Sequence, residues 1–143
     1  STFATGFNAL QVTGTSALVT GLSEGTSYQY RVRASNESGN SGYSNTSTAL
    51  TVSAPPVIGE ASDITDRSFT ANWVAAANAT DYFIDISSDN FQTFIAGYNN
   101  KSVGGALAAV VNGLNPATAY QYRVRSANSS GISPNTPVAS VTT

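Results

Sequence analysis

The feature that most constrains this chain is a fifteen-residue stretch that it carries twice. Leu22–Asn36 reads LSEGTSYQYRVRASN and Leu114–Asn128 reads LNPATAYQYRVRSAN, identical at nine of fifteen positions. In each copy a Leu, a Thr and a Tyr lead into strict alternation. The second copy has Tyr120, Tyr122 and Val124 on one face and Gln121, Arg123 and Arg125 on the other. Period two is the pattern of a strand buried on one side and solvated on the other. A chain organised round two such strands is expected to be all-β.

The copies stand 92 residues apart, so that Tyr28 answers Tyr120 and Arg33 answers Arg125. Upstream, residues 2–14 match residues 93–105 at six of thirteen positions with an offset of 91, and one inserted residue before Leu22 accounts for the difference. A period near ninety suits a seven-strand β-sandwich module and not a short solenoid repeat. The chain then divides into a partial module at 1–52, a linker at 53–56 (Ser-Ala-Pro-Pro) and a complete module at 57–143. Two prolines end a strand and stiffen a short linker.

In the sandwich lettering A to G, the partial module supplies residues 2–7 (C′), 15–20 (E), 27–36 (F) and 46–52 (G). The complete module has Val57–Glu60 (A), Ser68–Trp73 (B), Asp81–Ser87 (C), Phe94–Tyr98 (C′), Ala106–Asn112 (E), Ala119–Asn128 (F) and Val138–Thr142 (G), separated by turn-forming stretches. Alternation assigns Phe69, Ala71 and Trp73 to one side of B, and Tyr82, Ile84 and Ile86 to one side of C, with Asp81, Phe83 and Asp85 opposite. Trp73, Ile84, Ile86, Leu114, Tyr120, Tyr122 and Val124 form the expected core between two sheets, each contributing about 1.5–3 kcal/mol on burial.

Composition narrows the function. Apolar residues make up 41% of the chain, enough for a core, but charged residues only 10%, against roughly 25% in ordinary soluble domains. With net charge −2 and a single lysine, a nucleic-acid surface is not expected. The four strand arginines, Arg31, Arg33, Arg123 and Arg125, come as pairs and not as a basic patch. Cys, His and Met are all missing, which removes disulfides, thiolate metal sites and the commonest general base. That absence of cysteine leans towards a bacterial exported protein. No run of about eighteen apolar residues occurs, so membrane insertion is not expected.

The spacing of Trp73, Tyr82-x-Ile84, Leu114-x-Pro116-x-Thr118-x-Tyr120 and Val124 resembles fibronectin type III modules, an immunoglobulin-like β-sandwich family. The resemblance covers 55–143 and the latter half of a module in 1–52. It implies that Tyr120, and Tyr28 in the first unit, form tyrosine corners, each phenol bonding to backbone near the E–F turn. The run DYFIDISSDNFQTFIAGYNN, followed by the YQYRVRSAN strand, is similar to modules of secreted multidomain proteins of the Bacteroidota. The integrin-binding RGD tripeptide of some members is missing, and the F–G loops read NESGNSG and NSSGISP. Such modules serve in receptors, adhesins and enzyme spacers alike, so the resemblance speaks for fold more than for task.

Candidate sites follow from residue chemistry. Asp81 and Asp85 share a face beside Arg123 and Arg125. Cross-strand pairing of Asp85 with one of these arginines is the simpler expectation than acid–base catalysis, and no catalytic residue is assigned. Asp85, Asp89 and Asn90 offer hard oxygen ligands for calcium, but DISSDN lacks the glycine and distal glutamate of an EF-hand and reads as a turn, so neither metal nor cofactor is expected. Phe83, Phe94 and Tyr98 make a possible contact strip for glycans or a protein partner, unless C′ folds over and buries them. Phe91, and Phe3 and Phe7 in the first unit, belong to the same question. Trp73 is expected as core filler. Sequons stand at Asn36, Asn45, Asn78, Asn100 and Asn128. Without opposing strands, Leu18, Tyr28, Tyr30 and Val32 need completion, either by residues before Ser1 or by another chain pairing at the edge.

The expected function is that of a non-catalytic extracellular or cell-surface module, spacing and making contacts in a tandem-repeat adhesive or filament-forming protein. Its partners would be neighbouring modules or other copies of itself, with homo-oligomerisation or strand complementation possible, and glycans as a further ligand class. The alternative is an accessory module of a secreted polysaccharide- or protein-degrading enzyme.

Overall fold

The alternating runs become strands where a partner strand is at hand. The computed structural model describes residues 3–143, and its regular elements are all strands. The C-terminal unit contains β5 (Val57–Ile58), β6 (Ser68–Val74), β7 (Asp81–Ser87), β8 (Lys101–Ser102), β9 (Ala108–Asn112), β10 (Ala119–Asn128), β11 (Gly131–Ile132) and β12 (Ala139–Thr142). One sheet runs β5-β6-β9 and the other β11-β10-β7-β8, with β12 also on β10. The β10–β7 register sets Arg123 directly opposite Asp85 and Arg125 opposite Phe83. This is an all-β sandwich of about 90 residues.

Phe69, Ala71 and Trp73 meet Tyr82, Ile84, Ile86, Tyr120, Tyr122, Val124 and Val141 between the sheets, with Val111 and Leu114 closing the end. Phe69 tilts against Tyr122 at 5.5 Å between ring centroids, and Trp73 against Tyr82 at 5.8 Å, a separation at which aromatic pairs attract beyond their burial. The Trp73 indole N–H is buried without a partner among the described residues.

Expected strands β7 and β10 match their sequence bounds, β6 runs one residue further, and A, E and G are shortened by one or two, whereas the strand expected at 27–36 is regular only over Ser27–Tyr30 and again at Ser35–Asn36. C′ differs in kind. Phe94–Tyr98 is a turn at 96–97 that touches β7 only through Ile86, which accepts from Ile95 N–H at 2.9 Å and donates to the Tyr98 carbonyl at 3.0 Å, and the ladder on that edge of β7 belongs to β8, beyond it. Gly97 at φ +80 and the turn donation from Tyr98 N–H to the Ile95 carbonyl break extended geometry there.

Upstream, β1 (Ser27–Tyr30) pairs with β4 (Ser47–Leu50), and β2 (Ser35–Asn36) with β3 (Gly39–Asn40). The strands expected at 2–7 and 15–20 do not form among the described residues; Thr2 itself lies outside them. These stretches have no neighbouring strand among the described residues to supply ladder hydrogen bonds.

On the β4 side, the repeat is reproduced bond for bond. Val32 N–H reaches Ser44 Oγ at 3.1 Å and the Val32 carbonyl accepts from Ser44 N–H at 2.8 Å. At the matching positions Val124 bonds Thr136 at 3.0 and 2.9 Å. Ala34 and Ser41 likewise match Ser126 and Ser133.

Candidate functional site

Three local arrangements could carry function: the outer face of β7 and β10, the two tyrosine corners, and the joint at which Gly25 and residues 50–54 meet the sandwich.

On the outer face, Asp85 lies under two arginines. Arg123 Nε donates to it at 3.0 Å and Arg125 Nη2 at 3.3 Å. The backbone N–H of Asn100 donates to the same carboxylate at 2.6 Å, and Asn100 Oδ1 accepts from Arg125 at 2.7 Å. The Phe91 ring covers the Arg123 guanidinium at 4.2 Å. Asp85 is therefore buried, where alternation alone placed it on the solvated face, because the segment leading into β8 folds over it. Pairing involves both arginines. Every Asp85 oxygen is engaged, leaving no free carboxylate to act as base or ligand.

Asp89 is likewise committed, to Ser87 Oγ, Thr93 N–H and Thr93 Oγ1 at 2.7, 2.9 and 2.6 Å. The Thr93 hydrogen bonds lower its pKa to about 2. No cluster of three acidic residues that could hold a metal occurs among the described residues.

The aromatic strip does not assemble. Tyr98 is buried, its hydroxyl donating to the Val110 carbonyl at 3.2 Å while Lys101 Nζ sits over its ring at 4.2 Å. Tyr98 is thus a core residue and not a contact residue, since the segment after β7 turns it inward. Phe83 and Phe94 are half-buried, and Phe94 leans on Phe91 at 6.3 Å. In the first unit Phe3 is exposed and Phe7 half-buried. An open groove of about 470 Å³ between β5 and β12, lined by Ile58, Glu60, Ile64, Tyr122, Ala139 and Val141, holds a single carboxylate, Glu60.

At the corners, Asn115 N–H donates to the Tyr120 phenol at 2.9 Å and Ser23 N–H to the Tyr28 phenol at 2.8 Å. A threonine closes each corner: Thr51 Oγ1 donates to the Ser23 carbonyl at 2.7 Å, and Thr143 Oγ1 to that of Asn115 at 2.6 Å. Trp73 fills the core.

The joint was not legible as a site. Asn128 Nδ2 donates to the Thr51 carbonyl at 2.9 Å and to Ser53 Oγ at 3.0 Å. Ser130 Oγ donates to the Leu50 carbonyl and Ser126 Oγ to the Ala54 carbonyl, both at 2.6 Å. From the β6–β7 loop, Asn78 Nδ2 donates to the Gly25 carbonyl at 2.7 Å. Gly25 is buried at φ +53, and a Cβ there would collide with the Ala77 carbonyl, so both its backbone conformation and its surroundings demand glycine. Ser53 and Pro56 of the linker are buried. The only prior signal was the polar Asn-x-Ser-Gly of the β10–β11 turn, in which Ser130 N–H caps Asn128 Oδ1 at 2.9 Å.

The fibronectin type III domain model matches residues 54–142. Endoglucanase B of Cellulomonas fimi is 31% identical over 147 residues, covering 88% of this chain; the chain spans 14% of that enzyme. A solved FN3tt mutant structure superposes with TM-score 0.53 at 29% identity, over 64% of this chain and 97% of its own. A two-module fibronectin type III segment of chicken tenascin gives TM-score 0.62 at 24% identity, over 86% of this chain and 68% of its own, a likeness of fold. Fibronectin type III domains are generally non-catalytic and typically extracellular, and no helix among the described residues is long and apolar enough to cross a membrane. By the match over residues 54–142, on a two-sheet sandwich closed by a tyrosine corner, the chain belongs to the fibronectin type III domain family.

Proposed function

We propose that this chain is a non-catalytic spacer in an exported multidomain protein, and that it holds successive units at a fixed angle. Residues 1–52 are the later strands of one module, 53–56 the linker and 57–143 the next module. The observation that carries this reading is the joint: five side-chain hydrogen bonds and a buried glycine tie the turn before β1, the end of β4 and the linker to the β6–β7 loop and to the end of β10 with the turn that follows it. A linker so anchored sets orientation, which is what a spacer in an adhesive or filament-forming surface array requires. The sparse charge lets such modules lie side by side with little repulsion.

Backbone ¹⁵N relaxation tests it. Residues 47–54 should have order parameters near those of rigid backbone, about 0.85, falling below about 0.6 in an Asn128→Ala/Ser130→Ala double variant. Low values in the unaltered chain would end the reading.

A second reading has its own support, the similarity to Endoglucanase B: an accessory spacer beside a polysaccharide-degrading catalytic domain. Binding of the chain to insoluble cellulose, weakened by Phe83→Ala or Phe94→Ala, would turn the assignment from spacing towards glycan contact.

A further inference from the structure

Two turns of one design carry different residues at the tip. The turn before β1 and the turn before β10 make the same bonds. Thr26 Oγ1 donates to the Glu24 carbonyl and Thr118 Oγ1 to the Pro116 carbonyl, both at 2.9 Å. Thr51 N–H donates to the Thr26 carbonyl at 3.0 Å, and Thr143 N–H to the Thr118 carbonyl at 3.2 Å. The tip residue of each is left-handed, at φ +53 for residue 25 and φ +48 for residue 117. These tips are 92 positions apart, and the first is glycine where the second is alanine.

Their surroundings differ as well. Gly25 is buried and Ala117 is exposed. The β6–β7 loop presses on Gly25: Asn78 Nδ2 donates to its carbonyl at 2.7 Å, and a Cβ would overlap the Ala77 carbonyl oxygen and stand 3.3 Å from Ala77 Cβ. Left-handed backbone favours glycine, yet Ala117 shows that this turn can carry a methyl group. A main-chain carbonyl in the path of that methyl is a harder obstacle, because it cannot swing aside as a side-chain end does.

We infer that the tip of this turn is the specificity-determining position of the joint: glycine at 25 admits the loop at 76–78 of a sandwich like that of 57–143, and alanine at 117 refuses it. With a Cβ at the tip the loop must stand off, which takes Asn78 Nδ2 out of hydrogen-bonding reach of the tip carbonyl and misaligns the donors around it. The surface formed by residues 115–118 and the end of β12 therefore fits a sandwich of this kind only as a hinged neighbour, whereas the surface round Gly25 holds one fixed. This rests on the spacer reading and adds the position that grants or withholds the fixed angle.

The chain has no cysteine, so introduced pairs can carry spin labels, and the distance distribution between the labels reads how firmly the parts are held. In a Gln29→Cys/Arg67→Cys chain, with both positions exposed, the distribution should be one sharp peak. Adding Gly25→Ala should abolish the peak and leave the urea midpoint of the sandwich in place. For the other tip, the full chain is extended from Thr143 by a second copy of residues 52–143, with Arg67→Cys in each sandwich. That distribution should be broad, and Ala117→Gly in the first sandwich should draw it into a peak. A sharp peak with Ala117 in place, no sharpening with Ala117→Gly, or a peak that survives Gly25→Ala overturns the inference. A broad distribution in the Gln29→Cys/Arg67→Cys chain itself overturns the spacer reading, and the inference with it.

Discussion

YQYRVR at 28–33 and at 120–125 compares two fates of one sequence. Both copies close a tyrosine corner, both are locked by a threonine at the end of the paired strand, and both bond serine or threonine hydroxyls on the same side. They part only where a distant strand is needed. Local geometry travels with local sequence; burial and ion pairing travel with the partner. The same Tyr is therefore a core anchor in one unit and a surface residue in the other.

The largest expected effect breaks this comparison at its centre. Tyr122→Ala should cost about 3–5 kcal/mol in urea unfolding, the loss of a fully buried aromatic, while Tyr30→Ala should stay within about 0.5 kcal/mol. Equal costs would mean that the first copy is covered in solution. Next is the acid. Asp85→Ala strands two half-buried guanidiniums and should destabilise by about 2–3 kcal/mol, whereas Arg31→Ala should leave the midpoint nearly unmoved.

The corners sharpen the likeness. Tyr120→Phe should cost about 0.5–1.5 kcal/mol. Tyr28→Phe should spare the sandwich transition and show only as faster exchange of the Ser23 amide.

Asp89 has the smallest effect. Its folded pKa, about 2, lies below the ordinary 3.8. Its contribution is thus fully present above about pH 4 and lost as pH falls through 2. Thr93→Ala should raise the carboxyl titration towards 3.8, read by ¹³C NMR.

Much of the fold was legible because period two, turn residues and the 92-residue repeat all agreed for β6, β7 and β10. The weak elements were those where pattern lacked a partner. Residues 15–20 carry a short apolar run, Ala17–Val19, but pair with no strand among the described residues, and Phe94–Tyr98 is apolar yet interrupted by Gly97. Asp85 and Tyr98 were misplaced through one segment, that between β7 and β9: it lays Asn100 over Asp85 on the outer face and turns Tyr98 inward to Val110, and no periodicity within β7 announces either. The joint was hidden because Asn78, Asn128 and Ser130 sit in turns, where Asn and Ser are already expected for local reasons.

In that joint, four of the five side-chain hydrogen bonds end on main-chain carbonyls, those of Gly25, Leu50, Thr51 and Ala54. Every residue type presents a carbonyl. The coupling therefore reads the path of the incoming strand and is blind to the side chains at positions 50, 51 and 54. Modules whose last strands have drifted apart in sequence could still be fastened by one Asn-x-Ser turn at the same angle. Divergence along the strand and constancy of the assembly are then compatible, with the specificity confined to a glycine and a few amides and hydroxyls.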